Sequence, residues 1–148
     1  MKIYNNSGVL IYEDTNSTMK ETVIAAIAAA TVLVNANLSK QDLSMISFFN
    51  IDLSGANLNG SYFAGSLFYK TNLTGCNLQN VNLSGVLLAG VNLTNADLKD
   101  AILQGSAFIK ANFTGASVPI MQMIKAFLYA CDYTNIKLYY KDKIVQNL

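Results

Sequence analysis

The chain has 148 residues, enough for one domain with a sizeable core; 52% are apolar, 13% are charged and the net charge is +1. That balance excludes a disordered chain, and ten lysines with no basic cluster exclude a phosphate-binding footprint. Histidine and arginine are absent altogether, which removes Ser-His-Asp and Cys-His catalysis, the commonest metal ligand and any bidentate guanidinium clamp.

In chain order, Lys2 to Asn5 and Val9 to Glu13 flank Asn6-Ser7-Gly8, which predicts a hairpin. Met1 to Tyr12 has no apolar core of a secretory signal, and Cys76 and Cys131 have no motif spacing; two free thiols in a reducing cytoplasm are expected. Thr18 followed by Glu21 forms a capping box. It predicts a helix from about Met19 to Ala30, with Met19, Val23, Ile24 and Ile27 on one side. The apolar run from Val23 to Val34, 12 residues, is too short to span a bilayer, so no membrane role is expected. Residues 1–30 thus read as an N-terminal hairpin and capping helix.

From Leu33 to Phe113 every fifth residue is Leu or Phe, giving seventeen consecutive pentapeptides over residues 31–115. With that residue called i, position i−2 is small or β-branched (Ala36, Ala56, Ser66, Thr71, Cys76, Val81, Val91, Ala96, Ala111), Gln41 being the large polar exception. Position i−1 is Asn or Asp in ten of the seventeen, and i+2 is often Gly. Residues i−2 and i lie two apart, so in an extended segment they share an inward face while i−1 points out. Positions i+1 and i+2 carry turn formers, so the chain bends every five residues toward one interior. Neither a helical nor a simple strand period fits, and segments that bend one way and stack on themselves make a solenoid.

The units Ala56-Asn57-Leu58-Asn59-Gly60, Thr71-Asn72-Leu73-Thr74-Gly75, Ala96-Asp97-Leu98-Lys99-Asp100 and Ala111-Asn112-Phe113-Thr114-Gly115 resemble the A(D/N)Lxx repeat of the pentapeptide-repeat family. The resemblance implies an all-β solenoid, a right-handed quadrilateral β-helix with four pentapeptides per coil, here about four coils and roughly 20 Å tall. The sequence supports four sides independently. Where i−1 departs from Asn or Asp, Ser47, Leu67, Leu87 and Ala107 are spaced by 20, and Tyr62 and Ile102 recur in the same frame two coils apart. The hairpin-helix lead-in is similar to that of some bacterial and phage members of the family.

The repeat region is read as residues 31–118, ending before Pro119, which suits the first turn of a helix. Ile120 to Cys131 reads as an apolar helix with Met121, Met123, Ile124, Phe127 and Leu128; Asn135 to Tyr140 alternates like a strand, and Ile144 to Leu148 is a candidate to pair with it. Residues 119–148 therefore form a C-terminal helix/strand segment for capping the last coil or for dimerisation, since members of the family are often dimers.

Two sides carry polar columns at i−1, Asp52, Asn72, Asn92 and Asn112 on the first and Asn37, Asn57, Asn77 and Asp97 on the second; bonding to local backbone is their expected role. The fourth side differs, with Ser47, Phe49, Leu67, Tyr69, Leu87, Ala89, Ala107 and Ile109 outward, and the third adds Tyr62 and Ile102. The candidate partner-binding residues are Phe49, Tyr62, Leu67, Tyr69, Leu87, Ile102 and Ile109, because a contiguous apolar patch marks a contact with a partner or a second copy. Cover by a terminal segment of the same chain is the competing reading. No catalytic residue, metal ligand, cofactor, small-molecule substrate or direct nucleic-acid contact is expected. The function predicted is a non-catalytic interaction or scaffold module. The alternative implied by the resemblance is a DNA mimic that binds gyrase, which calls for a strongly negative rod. Here Lys40, Lys70, Lys99 and Lys110 balance Asp42, Asp52, Asp97 and Asp100 within the repeats.

Overall fold

The computed structural model describes residues 1–141 and 143–147. Strands β1 (Lys2–Tyr4) and β2 (Leu10–Glu13) form the antiparallel hairpin, turning through Asn5, whose Oδ1 accepts the N–H groups of Ser7 and Val9. Helix α1 (Met19–Ala28) follows behind a complete Thr18/Glu21 capping box. Its buried residues are Thr22, Val23 and Ala26, whereas Ile24 is exposed, a correction to the expected apolar side. The buried set follows the i, i+3, i+4 spacing from Met19, and a small Ala26 lets the helix approach the hairpin closely, so the bulkier Ile24 is left outside. The helix ends with Ala30 in the left-handed region (φ 53°) and Thr31 N–H reaching back to Ala26 C=O, which frees the chain to enter the first coil.

The solenoid then winds with four sides per turn. Each corner residue i+2 from Asn35 to Gly115 has φ between +51° and +69°. Glycine adopts this freely, and Gly55 and Gly115 also face Asn35 and Asn95 of the preceding coil so closely that a side chain would collide. On the first three sides the corner is a β-turn, closed from the N–H of i+3 to the carbonyl of i as in Ala56 to Leu53 and Ser61 to Leu58, except at Gln41 and Ile46, whose N–H groups bond the Ser61 and Ser66 hydroxyls. On the fourth side the chain stays extended through i+1, giving strands β3 (Ser47–Phe49), β4 (Leu67–Tyr69), β5 (Leu87–Ala89) and β6 (Ala107–Ile109) in parallel register.

The five-residue frame does not stop at Pro119. It runs on through Val118, Met123, Leu128, Tyr133 and Leu138, so the solenoid makes about five turns rather than four. Strand β7 (Ser117–Pro119) leads into a single helical turn, α2 (Ile120–Met123), in place of the expected helix to Cys131. After it, β8 (Phe127–Tyr129) joins β6 in exact continuation of the fourth-side ladder, and β9 (Lys137–Tyr140) pairs in parallel with β7. Helix propensity in this apolar run yields to the preformed ladder edge, which pairs the lower edge of β8 with β6. Where α2 interrupts the third side, the Gln122 side-chain Oε1 accepts the Leu103 N–H. One coil earlier the main-chain carbonyl of Ile102 accepts from Leu83. Strand β10 (Lys143–Asn147) adds antiparallel to β9.

Inside, the i columns are close to fully buried, from Leu33 to Val118. The phenyl rings are clustered rather than spread. Phe48 stacks on Phe68 at 4.7 Å, Phe63 meets Phe68 edge-on at 5.2 Å, and Phe113 stacks on Tyr133 at 5.9 Å. The expected apolar i−2 column has one polar ring, where Ser61, Ser66, Thr71 and Cys76 donate to the carbonyls of Leu38, Leu43, Phe48 and Leu53 in the coil before. No buried side-chain nitrogen or oxygen among the described residues lacks a partner.

Candidate interaction surface

The four sides differ in what their outward residues do. In eleven repeats the i−1 Asn or Asp accepts the N–H of i+1 through Oδ1, as Asn92 does from Thr94 at 3.1 Å and Asp52 from Ser54 at 2.9 Å. On the first side Thr74, Thr94, Thr114 and Thr134 add a hydroxyl bond to the same oxygen. These columns are turn-holding devices. The hydroxyl and main-chain bonds at Ser44 and Thr134 also hold the Asp42 and Asp132 carboxyls below their ordinary range, both facing solvent.

All eleven lie on the first three sides. On the fourth, i+1 belongs to a strand and its N–H is committed to the ladder, so an acceptor at i−1 has no work there. Released from that role, i−1 and i+1 are apolar at every position but Ser47, and both point outward. The result is a flat strip two residues wide and five rungs tall. Phe49 and Leu87 are exposed, Leu67, Tyr69 and Ile109 half-buried by their neighbours up and down the stack. Phe49 and Tyr69 stack at 4.7 Å, and the Lys70 ammonium sits 5.3 Å from the Tyr69 ring centre. Round the corner on the third side, Tyr62 and Ile102 are exposed in a column that alternates with Asp42 and Asn82.

The terminal segments leave this strip open. Helix α1 lies at the N-terminal end of the solenoid, and the C-terminal residues through Tyr129 extend the strip, so no segment among the described residues covers it. Phe127 and Tyr129 of β8, 60% and 59% exposed, are the most open residues on it. Both were missed in sequence because they fall beyond Pro119, although Leu87, Ala107 and Phe127, and Ala89, Ile109 and Tyr129, keep the interval of 20.

Catalytic equipment is sparse. The Cys76 thiol is buried and its pKa is pushed up to about 12, mainly by desolvation, so it is a packing group and not a nucleophile. Among the described residues no cluster of three or more His, Cys, Asp or Glu could hold a metal ion, and no helix is long and apolar enough to cross a membrane.

The pentapeptide-repeat pattern matches residues 46–85 and 76–115, eight copies in all. With the coil geometry above, the chain belongs to the pentapeptide-repeat family. A solved pentapeptide-repeat protein of the cyanobacterium Cyanothece 51142 is 27% identical over 68% of this chain, with a TM-score of 0.50. This chain spans 64% of the length of that protein. A second, from Nostoc PCC 7120, is 22% identical over 86% of this chain and all of its own, with a TM-score of 0.44. QnrB1, described as a plasmid-mediated fluoroquinolone resistance protein, is 18% identical over 69% of this chain and 72% of its own, with a TM-score of 0.42. No curated protein matches the chain in sequence.

Proposed function

We propose that this chain is a non-catalytic interaction module whose contact surface is the apolar strip of the fourth side, from Phe49 through Leu67, Tyr69, Leu87 and Ile109 to Tyr129, flanked by Tyr62 and Ile102. The observation that carries the reading is the exposure of a continuous strip in a fold whose first and second sides present polar columns and whose third alternates polar with apolar residues. Large side chains left wet forgo roughly 1.5–3 kcal/mol of burial each, and the rungs would stack equally well with threonine or serine outward. The occupant is another protein, a second copy of this chain being the first candidate. Both cysteines are unpaired, which agrees with a role inside a reducing cytoplasm.

The double variant Leu67→Asp, Leu87→Asp tests this. Its circular dichroism is expected to match the parent, because both residues point outward, while self-association in sedimentation and partner capture are both reduced. A protein whose sedimentation and binding are unchanged by two carboxylates in mid-strip sinks the proposal.

A gyrase-directed DNA mimic needs a negative surface, and residues 31–115 carry four Lys against four Asp. No inhibition of DNA supercoiling at low micromolar protein is therefore expected; potent inhibition in that assay would promote the mimic reading over this one.

A further inference from the structure

Both ends of the solenoid cap the second side with a strand and leave β3 and β8 as open edges of the fourth-side ladder. Only at the far end are the inward residues also left partly uncovered. At the start, the chain lays its own strand antiparallel on the first coil. Asn5 bridges to Ala36, Asn37 N–H bonds Tyr4 C=O at 2.7 Å and Asn6 N–H bonds Asn35 C=O at 2.8 Å. Beneath that cap Ile3, Val23 and Ala26 are fully buried. At the far end, β10 does the same for the second side by adding antiparallel to β9. The first and fourth sides of the last coil receive no such strand. β8 is the terminal strand of its sheet, in the order β3-β4-β5-β6-β8. One coil below, Lys110 N–H bonds Tyr129 C=O, Phe113 N–H bonds Asp132 C=O and Gly115 N–H bonds Thr134 C=O. The equivalent donors of the last coil, the N–H groups of Ala130, Tyr133 and Asn135, together with that of Leu128, have no protein acceptor among the described residues. The inward residues there are correspondingly less covered. Leu128, Cys131 and Tyr133 are half-buried, whereas the same columns are sealed in the coils below.

We infer that this edge is a docking site for an extended segment of a partner polypeptide, added antiparallel to β8 as a sixth rung. A row of unpaired main-chain donors specifies main chain as the occupant. The molecule already caps its second side at both ends by antiparallel strand addition, so the geometry needs nothing new. Charge adds a second criterion. From residue 120 onward there are four lysines, Lys125, Lys137, Lys141 and Lys143, against two aspartates, so the segment is apolar at alternate positions with acidic flanks. A second copy meeting end to end fits less well. β10 stands about one and a half rungs, roughly 7 Å, beyond β8, so two copies would touch there before their β8 edges came within hydrogen-bonding reach.

The test uses a synthetic peptide of about eight residues, alternating valine and threonine with glutamate at each end, and amide exchange read by NMR. In the free protein the amides of Leu128, Ala130 and Tyr133 are expected to exchange fast and Phe108 and Lys110 slowly. Peptide should slow the first set and leave the second unchanged. Leu128→Pro deletes a donor that the fold does not use, at an edge where proline is tolerated, and should weaken the peptide by about tenfold or more, against a Leu128→Ala control that loses the same half-buried side chain and keeps the donor. Saturating peptide without protection of those amides overturns the inference. So does finding them already protected in a peptide-free dimer, which would make a second copy the occupant. If Leu128→Pro does not fold, the exchange data on the native chain decide.

Discussion

Replacing Leu78 by lysine abolishes the folded state. Leu78 lies at the middle of the second-side column, 1% exposed, with Leu58 in the coil below and Leu98 in the coil above, both fully buried. No carboxylate reaches that interior. An unpaired ammonium there costs several kcal/mol, comparable with the roughly 5–15 kcal/mol that holds a domain together. Snorkelling offers no escape, because the side chain is enclosed by stacked coils on both sides and by the corners of its own. Circular dichroism and thermal melting check this directly, and a soluble Leu78→Lys protein with the parent spectrum would show that position i does not face the core.

Phe68→Ala is expected to destabilise by about 3–5 kcal/mol. Phe68 is the shared member of an aromatic trio, stacked on Phe48 and edge-on to Phe63, and its deletion leaves a hole that rings on neighbouring rungs cannot fill. At about 2–4 °C per kcal/mol the melting temperature falls by roughly 10 °C. Phe68→Leu serves as the control. Leucine already fills the same column at Leu88, so a cost under about 1.5 kcal/mol is expected. Urea unfolding that gives the two variants equal midpoints would mean that volume, and not the aromatic cluster, is irrelevant at this rung.

How much of this was legible before the structure depends on which residues carried the signal. The inward column could be read directly, since Leu or Phe at every fifth position is incompatible with any competing element. The four sides were legible through an indirect sign, the Asn-free positions Ser47, Leu67, Leu87 and Ala107, and the structure supplies the cause, a strand that makes the Asx acceptor redundant. Beyond Pro119 the frame was hidden because its residues changed type while keeping their spacing. Val118, Met123 and Tyr133 are all large enough to fill the column, but none is Leu or Phe, and the dense apolar stretch around them has a helical look. Only the ladder edge of β6 decides between the two, and that is a tertiary fact. Ile24 failed for the same kind of reason, because which stripe of α1 faces inward is set by how closely the hairpin packs on it. The site residues could be placed on one strip from spacing alone, but Phe127 and Tyr129 could not be added until the frame was carried past the proline.

The hairpin and helix that cap the first coil also set the order in which the protein can be made. The hairpin and α1 are synthesised before the coils, so the cap of the first coil is made before there is a coil to cover. Each later turn of 20 residues then meets a complete, hydrogen-bonding edge left by its predecessor. Translation at about 5–20 residues per second delivers one turn every 1–4 s or so. Closing a hairpin takes about 1–10 μs, so a coil has ample time to settle before the next one emerges. Although its contacts are long-range by sequence, the molecule grows as a crystal face does, one layer templated by the last, and at every stage the nascent chain offers the same edge that β8 offers at the end.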